Sequence, residues 1–119
     1  MRATNNPASR RRRKKVLELV AGHRGSHHRL IKTAKQSADH AGVYAYRDRK
    51  VRKREFRKLW IARINAGVRA NGLTYSRFIE GMKRANIGID RKVLADIAAT
   101  DEATFAQIVA QAKAALDVA

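Results

Sequence analysis

Apolar residues are spread unevenly along this chain, and their spacing predicts helices. In residues 75–82, 93–98 and 105–116 they recur at intervals of three and four, which places them on one face of a helix in each segment. The residues on these faces are Tyr75, Phe78, Ile79 and Met82, then Val93, Leu94, Ile97 and Ala98, then Phe105, Ile108, Val109, Ala112 and Leu116. No segment alternates apolar and polar residues as a half-buried strand does. The second half of the chain is therefore expected to form compact helices.

Residues typical of helix ends separate these segments. Glycine follows asparagine at residues 71–72, and residues 86–88 contain a second break. The candidate N-caps of the three helices are Thr74 or Ser76, Asp90 and Thr100.

A long helix is predicted before them. Proline is absent after residue 28, and Gly42 is the one glycine between that point and Gly67. Residues 29–70 therefore favour a single helix of roughly 60 Å, which Gly42 can kink. An apolar stripe near its end is expected to pack on the C-terminal helices, with Trp60 in the core; it comprises Phe56, Leu59, Trp60, Ile64 and Val68.

The start of the chain is expected to be irregular up to residue 8. Ser9 is a candidate N-cap for a helix that follows, and Gly22 is a candidate stop in the left-handed conformation. Residues 23–28, which include Gly25, then predict a short turn.

The charge is concentrated in the first half. The net charge of the chain is +17; residues 1–60 hold 19 Lys or Arg and 4 Asp or Glu (+15), and residues 61–119 hold 8 and 6 (+2). Few apolar residues accompany these cations, so the first half cannot offset the entropy of ordering by burial alone. We expect residues before Phe56 to be largely disordered until a polyanion binds them.

Several other functions have no support in the sequence. Cysteine is absent, and the histidines at 23, 27, 28 and 40 lack the spacing of a zinc site, so no metal or cofactor is expected and these histidines are predicted to be solvated or RNA-facing. No residue pattern suggests a nucleophile, a phosphate loop or paired carboxylates, so the chain is not expected to be an enzyme. No apolar run predicts a transmembrane helix or a signal peptide, so a cytoplasmic location is expected.

Aromatic and acidic residues interrupt the basic run of the long helix. Tyr44 and Tyr46 face different sides of a helix, so they cannot both be core; either one can stack on a base, or both can be packing residues at an interface. Asp48 is expected to pair with Arg52, and Glu55 with Lys58, along the helix.

Three segments of the chain resemble a known family. "YAYRDRKVRKREFRKLWIARINAGVRANGLTYSRFIEGMKRA", the later "IDRKVLADIA" and the earlier "RRRRKKVLELVAGHRG" are similar, in the same order, to the L20 family of bacterial large-subunit ribosomal proteins. The resemblance covers residues 10–116. Two departures are His23, where the family usually has an aromatic residue, and the first residues, which are usually more basic.

The resemblance implies an all-α fold with an extended basic N-terminal helical arm, residues 1–58, threaded into ribosomal RNA. A small compact helical domain, residues 59–119, is implied to follow at the surface of the large subunit. It also implies a role in early subunit assembly and, in some bacteria, repression of translation of the protein's own mRNA. Large-subunit ribosomal RNA and neighbouring ribosomal proteins are the implied partners.

The basic runs and the resemblance together define twenty candidate RNA-binding residues. They are Arg10, Arg11, Arg12, Arg13, Lys14, Lys15, Arg24, Arg29, Lys32, Lys35, Tyr46, Arg47, Arg49, Lys50, Arg52, Lys53, Arg54, Arg57, Lys58 and Arg63. Arginine predominates over lysine, which favours phosphate and base contacts over a generic acidic surface.

Three alternative functions remain open on the residues alone. A DNA-compacting architectural protein would also carry this charge, and co-purification with ribosomal subunits rather than nucleoid separates the two. A membrane-surface helix fits less well, because the basic helix lacks a broad apolar face. A basic nuclease would need clustered carboxylates for its metal, and none are present.

Overall fold

The computed structural model describes residue 4 and residues 6–118, and within them every regular element is helical. The helices are α1 (Pro7–Leu19), α2 (Ile31–Ala70), α3 (Tyr75–Arg84), α4 (Arg91–Thr100) and α5 (Glu102–Asp117), with a short 3₁₀ helix at Gly25–His28. The predicted all-α class is confirmed. The chain divides into two compact units, Met1–Val51 and Arg52–Ala119, and α2 contributes to both. The domain boundary predicted after residue 58 stays a prediction.

Helix α1 begins earlier than the sequence suggested. Its N-cap is Asn6, whose side-chain oxygen accepts hydrogen bonds from the backbone N–H of Ala8 at 3.1 Å and of Ser9 at 3.5 Å. Pro7 occupies the first helical position, where its missing N–H costs nothing. The predicted N-cap Ser9 was therefore wrong, because an asparagine followed by proline provides the better start. Of the segment predicted to be irregular, residues 1–3 and 5 lie outside the described residues.

A hydrogen-bonded turn joins α1 to α2. Gly22 and Gly25 have φ of 87° and 66°, a left-handed conformation that favours glycine. His23 Nδ1 and Ser37 Oγ are hydrogen-bonded at 2.6 Å, and His28 Nδ1 donates to the carbonyl oxygen of His23 at 2.7 Å. His23 is partly buried against Ser37 of α2, which sequence reasoning did not predict, whereas His28 is exposed. The solvated or RNA-facing role of the histidines stays a prediction.

Helix α2 runs without interruption through Gly42. Its last turns supply Ile64 and Val68 to the core, where both are fully buried. Trp60 is partly buried and packs against that core, so its predicted place in the core is only partly correct.

The predicted apolar stripe of α2 is shorter than expected. Phe56 is 48 % exposed and Leu59 is 42 % exposed, so neither is a core residue. The Phe56 ring instead lies beside that of Trp60, with 6.2 Å between the centroids. The N-terminal end of the stripe is not buried, because Ile64 and Val68 are the residues of α2 that belong to the buried cluster.

The core of the C-terminal unit is formed where α3, α4 and α5 meet the end of α2. Its buried residues are Ile64, Val68, Phe78, Met82, Leu94, Ala95, Phe105, Ile108, Val109 and Ala112. The rings of Phe78 and Phe105 are 5.8 Å apart. Gly81 is buried, and a Cβ there would collide with the carbonyl oxygen of Ala112, so only glycine lets α3 and α5 approach this closely. On α4, Val93 belongs to the predicted apolar face but is 48 % exposed, whereas Ala95, which was not assigned to that face, is buried.

Capping follows the sequence prediction at two of the three C-terminal helices. Thr74 is the N-cap of α3, without a side-chain hydrogen bond, and Asp90 caps α4 by accepting from the N–H of Val93 at 2.9 Å. Thr100 was the wrong choice for α5. It ends α4, and Asp101 caps α5 by accepting from the N–H of Thr104 at 3.1 Å.

The Asp101 cap predicts acid sensitivity of the C-terminal unit. The hydroxyl and the N–H of Thr104 both donate to the carboxylate, and the hydroxyl contributes most to lowering the pKa of Asp101. A lowered pKa in the folded state stabilises the fold above the unfolded pKa of about 3.9, and this stabilisation is lost as the pH falls through the folded value. We expect Asp101→Asn, which keeps an N-cap, to reduce the fall in melting temperature between about pH 6 and pH 2. Asp117→Asn serves as the control for loss of one carboxylate, and an equal reduction in both variants would contradict a specific role of the Asp101 cap.

Candidate nucleic-acid interface

Every one of the twenty candidate RNA-binding residues is exposed. Six lie on α1, Arg24 and Arg29 flank the 3₁₀ helix, and the remaining twelve lie on α2. Exposure of long cationic side chains is the usual arrangement, so it does not by itself identify a binding surface. The informative features are the charge, the ion pairs and the faces of the helix that carry them.

The middle of α2 is exposed on all of its faces. From residue 39 to residue 59 every position is exposed, apart from Val51, which is partly buried. A helix with no buried face has no core to hold it in place, so its stability must come from local pairs or from a partner. Val43, Tyr44 and Tyr46 are 62 %, 49 % and 59 % exposed, so this part of the helix presents apolar and aromatic groups as well as charge.

Most of the cations in this segment lack an acidic partner. Residues 47–58 hold eight Lys or Arg and two acids, a net charge of +6. The cations that form no ion pair with a described carboxylate are Arg49, Lys50, Arg52, Lys53, Arg54 and Arg57. These unpaired cations repel one another, and binding of an anion would relieve that repulsion.

The two acids of the segment bind neighbouring cations. Glu55 accepts from Lys58 Nζ at 3.0 Å, as predicted. Asp48 accepts from Arg47 Nε at 2.9 Å, and not from Arg52 as expected. The hydrogen bond that Arg47 donates to Asp48 is the main reason why the pKa of Arg47 is raised above its ordinary value. Arg52 is consequently left available for other anions.

Both tyrosines of the segment lie beside cations. The Arg47 guanidinium lies 4.8 Å from the ring centroid of Tyr44, and Lys50 Nζ lies 4.4 Å from that of Tyr46 and donates to its hydroxyl at 2.7 Å. These cation–π contacts hold the rings at the helix surface. Neither ring is a core residue, so both are available to stack on bases.

A basic concavity lies between α1 and α2 in the N-terminal unit. Its volume is about 580 Å³, and its lining residues are Ser9, Arg12, Arg13, Lys15, Val16 and Lys35. The structure thus brings Lys35 together with three cations of the α1 run, which the sequence order does not suggest. Four cations around one concavity can together bind phosphate groups.

Other kinds of site lack support. Among residue 4 and residues 6–118, no three His, Cys, Asp or Glu side chains come together as metal ligands. Over the same residues, none of the helices combines the length and the apolar character needed to cross a membrane.

Comparison with known proteins identifies the family. The family model described as ribosomal protein L20 matches residues 2–108. The chain is 59 % identical over 116 residues to the large ribosomal subunit protein bL20 of Akkermansia muciniphila, covering 98 % of this chain and 91 % of that protein. It is 57 % identical over 115 residues to the bL20 protein of Hahella chejuensis, covering 97 % and 98 % of the two chains. The bL20 protein of Desulfatibacillum aliphaticivorans is 57 % identical over 108 residues, which cover 91 % and 93 %.

The family resemblance drawn from the sequence segments is therefore confirmed. The match includes the α1 run, all of α2, and the helices of the C-terminal unit up to residue 108. The family is not known for enzymatic activity, in agreement with the sequence analysis. The chain belongs to the ribosomal protein L20 family.

Proposed function

We propose that this protein of the large ribosomal subunit binds ribosomal RNA directly through α1 and the first two thirds of α2, and that it promotes early assembly of the subunit. The observation that carries the proposal is the segment of α2 from residue 39 to 59, which is exposed on every face and bears a net charge of +6 in residues 47–58. A polyanion that surrounds the helix would neutralise such a distribution on every side.

The proposed mechanism is mutual ordering. Cations on different sides of α2 bind phosphates of separate RNA segments and hold those segments together. The RNA in turn removes the repulsion among the cations and stabilises the helix. Most contacts are to the sugar–phosphate backbone, because the A-form major groove hides the base edges from side chains. Tyr44 and Tyr46 add stacking with unpaired bases.

The helical C-terminal unit has a different role in this proposal. Residues 61–119 carry a net charge of only +2 and contain nearly all of a self-contained core, so this part of the chain folds without RNA. Neighbouring ribosomal proteins, which the resemblance implies, are its proposed protein partners. Repression of translation of the protein's own mRNA is a further proposed role, supported by the resemblance, and it would use the same RNA-binding surface. The ribosome of the cytoplasm is the proposed location.

Fractionation of cells tests this proposal against DNA compaction. The tagged full-length protein should sediment with large ribosomal subunits and their precursors after washing at high salt, and depletion of the protein should reduce the amount of mature large subunit. Recovery with the nucleoid, and loss from ribosomal particles at the same salt concentration, would contradict the proposal and favour a DNA-compacting protein.

Hydrogen exchange on the free protein tests the mutual ordering. Without RNA, the backbone amides of residues 29–54 should exchange rapidly, because this part of α2 is held by few buried side chains. The amides of α3 to α5 should be protected under the same conditions, since these helices share one core. Addition of ribosomal RNA should slow exchange in residues 29–54. Protection of these amides in the free protein at low salt would show that the helix is stable without RNA.

A further inference from the structure

A groove of the C-terminal unit combines an aromatic ring, apolar surface and charges of both signs. Its volume is about 640 Å³, and its lining residues are Trp60, Arg63, Asp90, Lys92, Val93 and Asp96. Trp60 comes from α2, Asp90 caps α4, and Lys92, Val93 and Asp96 lie on α4. The groove begins directly after the exposed segment at residues 39–59, because Trp60 and Arg63 lie on the next turn of α2.

The charged groups of this groove do not neutralise one another. Arg63 and Lys92 form no ion pair with a described carboxylate, and the side chain of Asp96 has no hydrogen-bond partner among the described residues. Asp90 differs, because one of its oxygens accepts from the N–H of Val93. Asp96 is therefore the carboxylate with both oxygens available to a ligand.

The apolar wall of the groove suits a flat ring. Trp60 is partly buried, so the core holds its indole in place, and Val93 is 48 % exposed. Unpaired bases of RNA stack on aromatic side chains and are recognised by hydrogen bonds to their Watson–Crick edge. A carboxylate has acceptors only, so it suits an edge that presents two adjacent donors. Guanine presents such an edge, with N1–H and the N2 amino group. Adenine, cytosine and uracil each have one donor group on that edge, so none of them presents two adjacent donors.

We propose that this groove binds an unpaired guanosine of RNA, an inference that rests on the proposed RNA-binding function. The indole of Trp60 stacks on the base, and the carboxylate of Asp96 accepts from N1–H and N2–H of guanine. Arg63 and Lys92 bind the phosphates on either side of the nucleoside. The groove thus supplies base recognition, which the phosphate contacts of α2 do not.

The fluorescence of Trp60 gives a direct test, because Trp60 is the sole tryptophan of the chain. The full-length protein is titrated with the RNA hexamers UUUGUU, UUUIUU and UUUAUU, which carry the same charge. Inosine retains N1–H and lacks the N2 amino group. The guanosine hexamer should change the fluorescence with a Kd about tenfold lower than that of the adenosine hexamer, and inosine should fall between them.

Two variants distinguish the groove from general RNA binding. Asp96→Asn replaces an unpartnered, exposed carboxylate, so the fold should survive, and the difference between guanosine and adenosine should shrink to within about twofold. Asp117→Asn removes the same charge from the end of α5 and should leave the difference unchanged.

The outcomes separate the groove from the proposed function. The guanosine site would be ruled out if all three hexamers changed the fluorescence equally, or if none of them changed it. It would also be ruled out if Asp96→Asn kept the wild-type preference for guanosine over adenosine. The proposed function is tested separately by measuring the binding of a long ribosomal RNA fragment through the fluorescence anisotropy of a label on that RNA. If that binding persists without a guanosine preference at Trp60, only the groove proposal fails.

Discussion

Replacing Arg49, Arg52, Lys53 and Arg57 together with glutamine should reduce the salt dependence of RNA binding by about 3 units in the slope of log K against log salt. Each phosphate contact releases counterions and contributes about 0.7–0.9 to this slope, so four contacts account for the change. At about 0.1 M salt the variant should bind roughly a thousandfold more weakly than wild type, if both bind equally at 1 M. Glutamine is a good helix former, so α2 itself should survive.

The matched control removes four exposed cations from the C-terminal part of the chain. The control variant carries glutamine at Arg69, Arg77, Lys83 and Lys113. Its net charge equals that of the test variant, and its salt slope should remain near the wild-type value. In cells, the test variant should accumulate precursors of the large subunit, and the control should not. Equal slopes for the test variant and wild type would show that the cations of α2 are only solvated.

Phe105→Ala should destabilise the C-terminal unit by about 3–5 kcal/mol, the range for a large aromatic residue removed from a core. Phe105 is 2 % exposed, its ring lies 5.8 Å from that of Phe78, and it also fills the space beside Gly67. A loss of this size is a large part of the stability of a small domain. The loss in the free energy of unfolding is measured by urea denaturation, with the helical circular dichroism signal as the readout.

Trp60→Ala provides the comparison for this prediction. From the sequence alone a loss of about 3–5 kcal/mol would be expected for Trp60 as well. Because Trp60 is only partly buried, the loss should be smaller than for Phe105→Ala. A larger loss for Trp60→Ala would show that the tryptophan, and not the Phe78–Phe105 pair, is the centre of the core.

The periodicity of the sequence predicted the helices but not where burial stops along them. The faces of α3 and α5 were found correctly because their apolar residues repeat over two or more turns. On α2 the same spacing extends to Phe56, which is exposed, because spacing places a residue on a face without saying whether another helix covers it. Val93 likewise lies on the predicted apolar face of α4 and is exposed, because no other helix covers it.

The candidate interface was predictable as a region but not in its geometry. A run of like charges is visible in any sequence, and all of its predicted residues are exposed. The approach of Lys35 to the cations of α1 depends on the turn at Gly22 and Gly25, whose direction the sequence does not specify. Likewise, the hydrogen bond between His23 and Ser37 joins residues that no local pattern connects.

If RNA surrounds α2, as we propose, cations on two different sides of the helix should contribute equally to binding. Arg49 and Lys53 lie about 140° around the helix from Arg54 and Lys58. The salt slope of ribosomal RNA binding is measured for wild type and for the two double glutamine variants. If RNA surrounds the helix, each double variant should lower the slope by about 1.5 units. A lower slope in only one of the two variants would show that α2 binds RNA with a single side, and it would rule out an RNA that surrounds the helix.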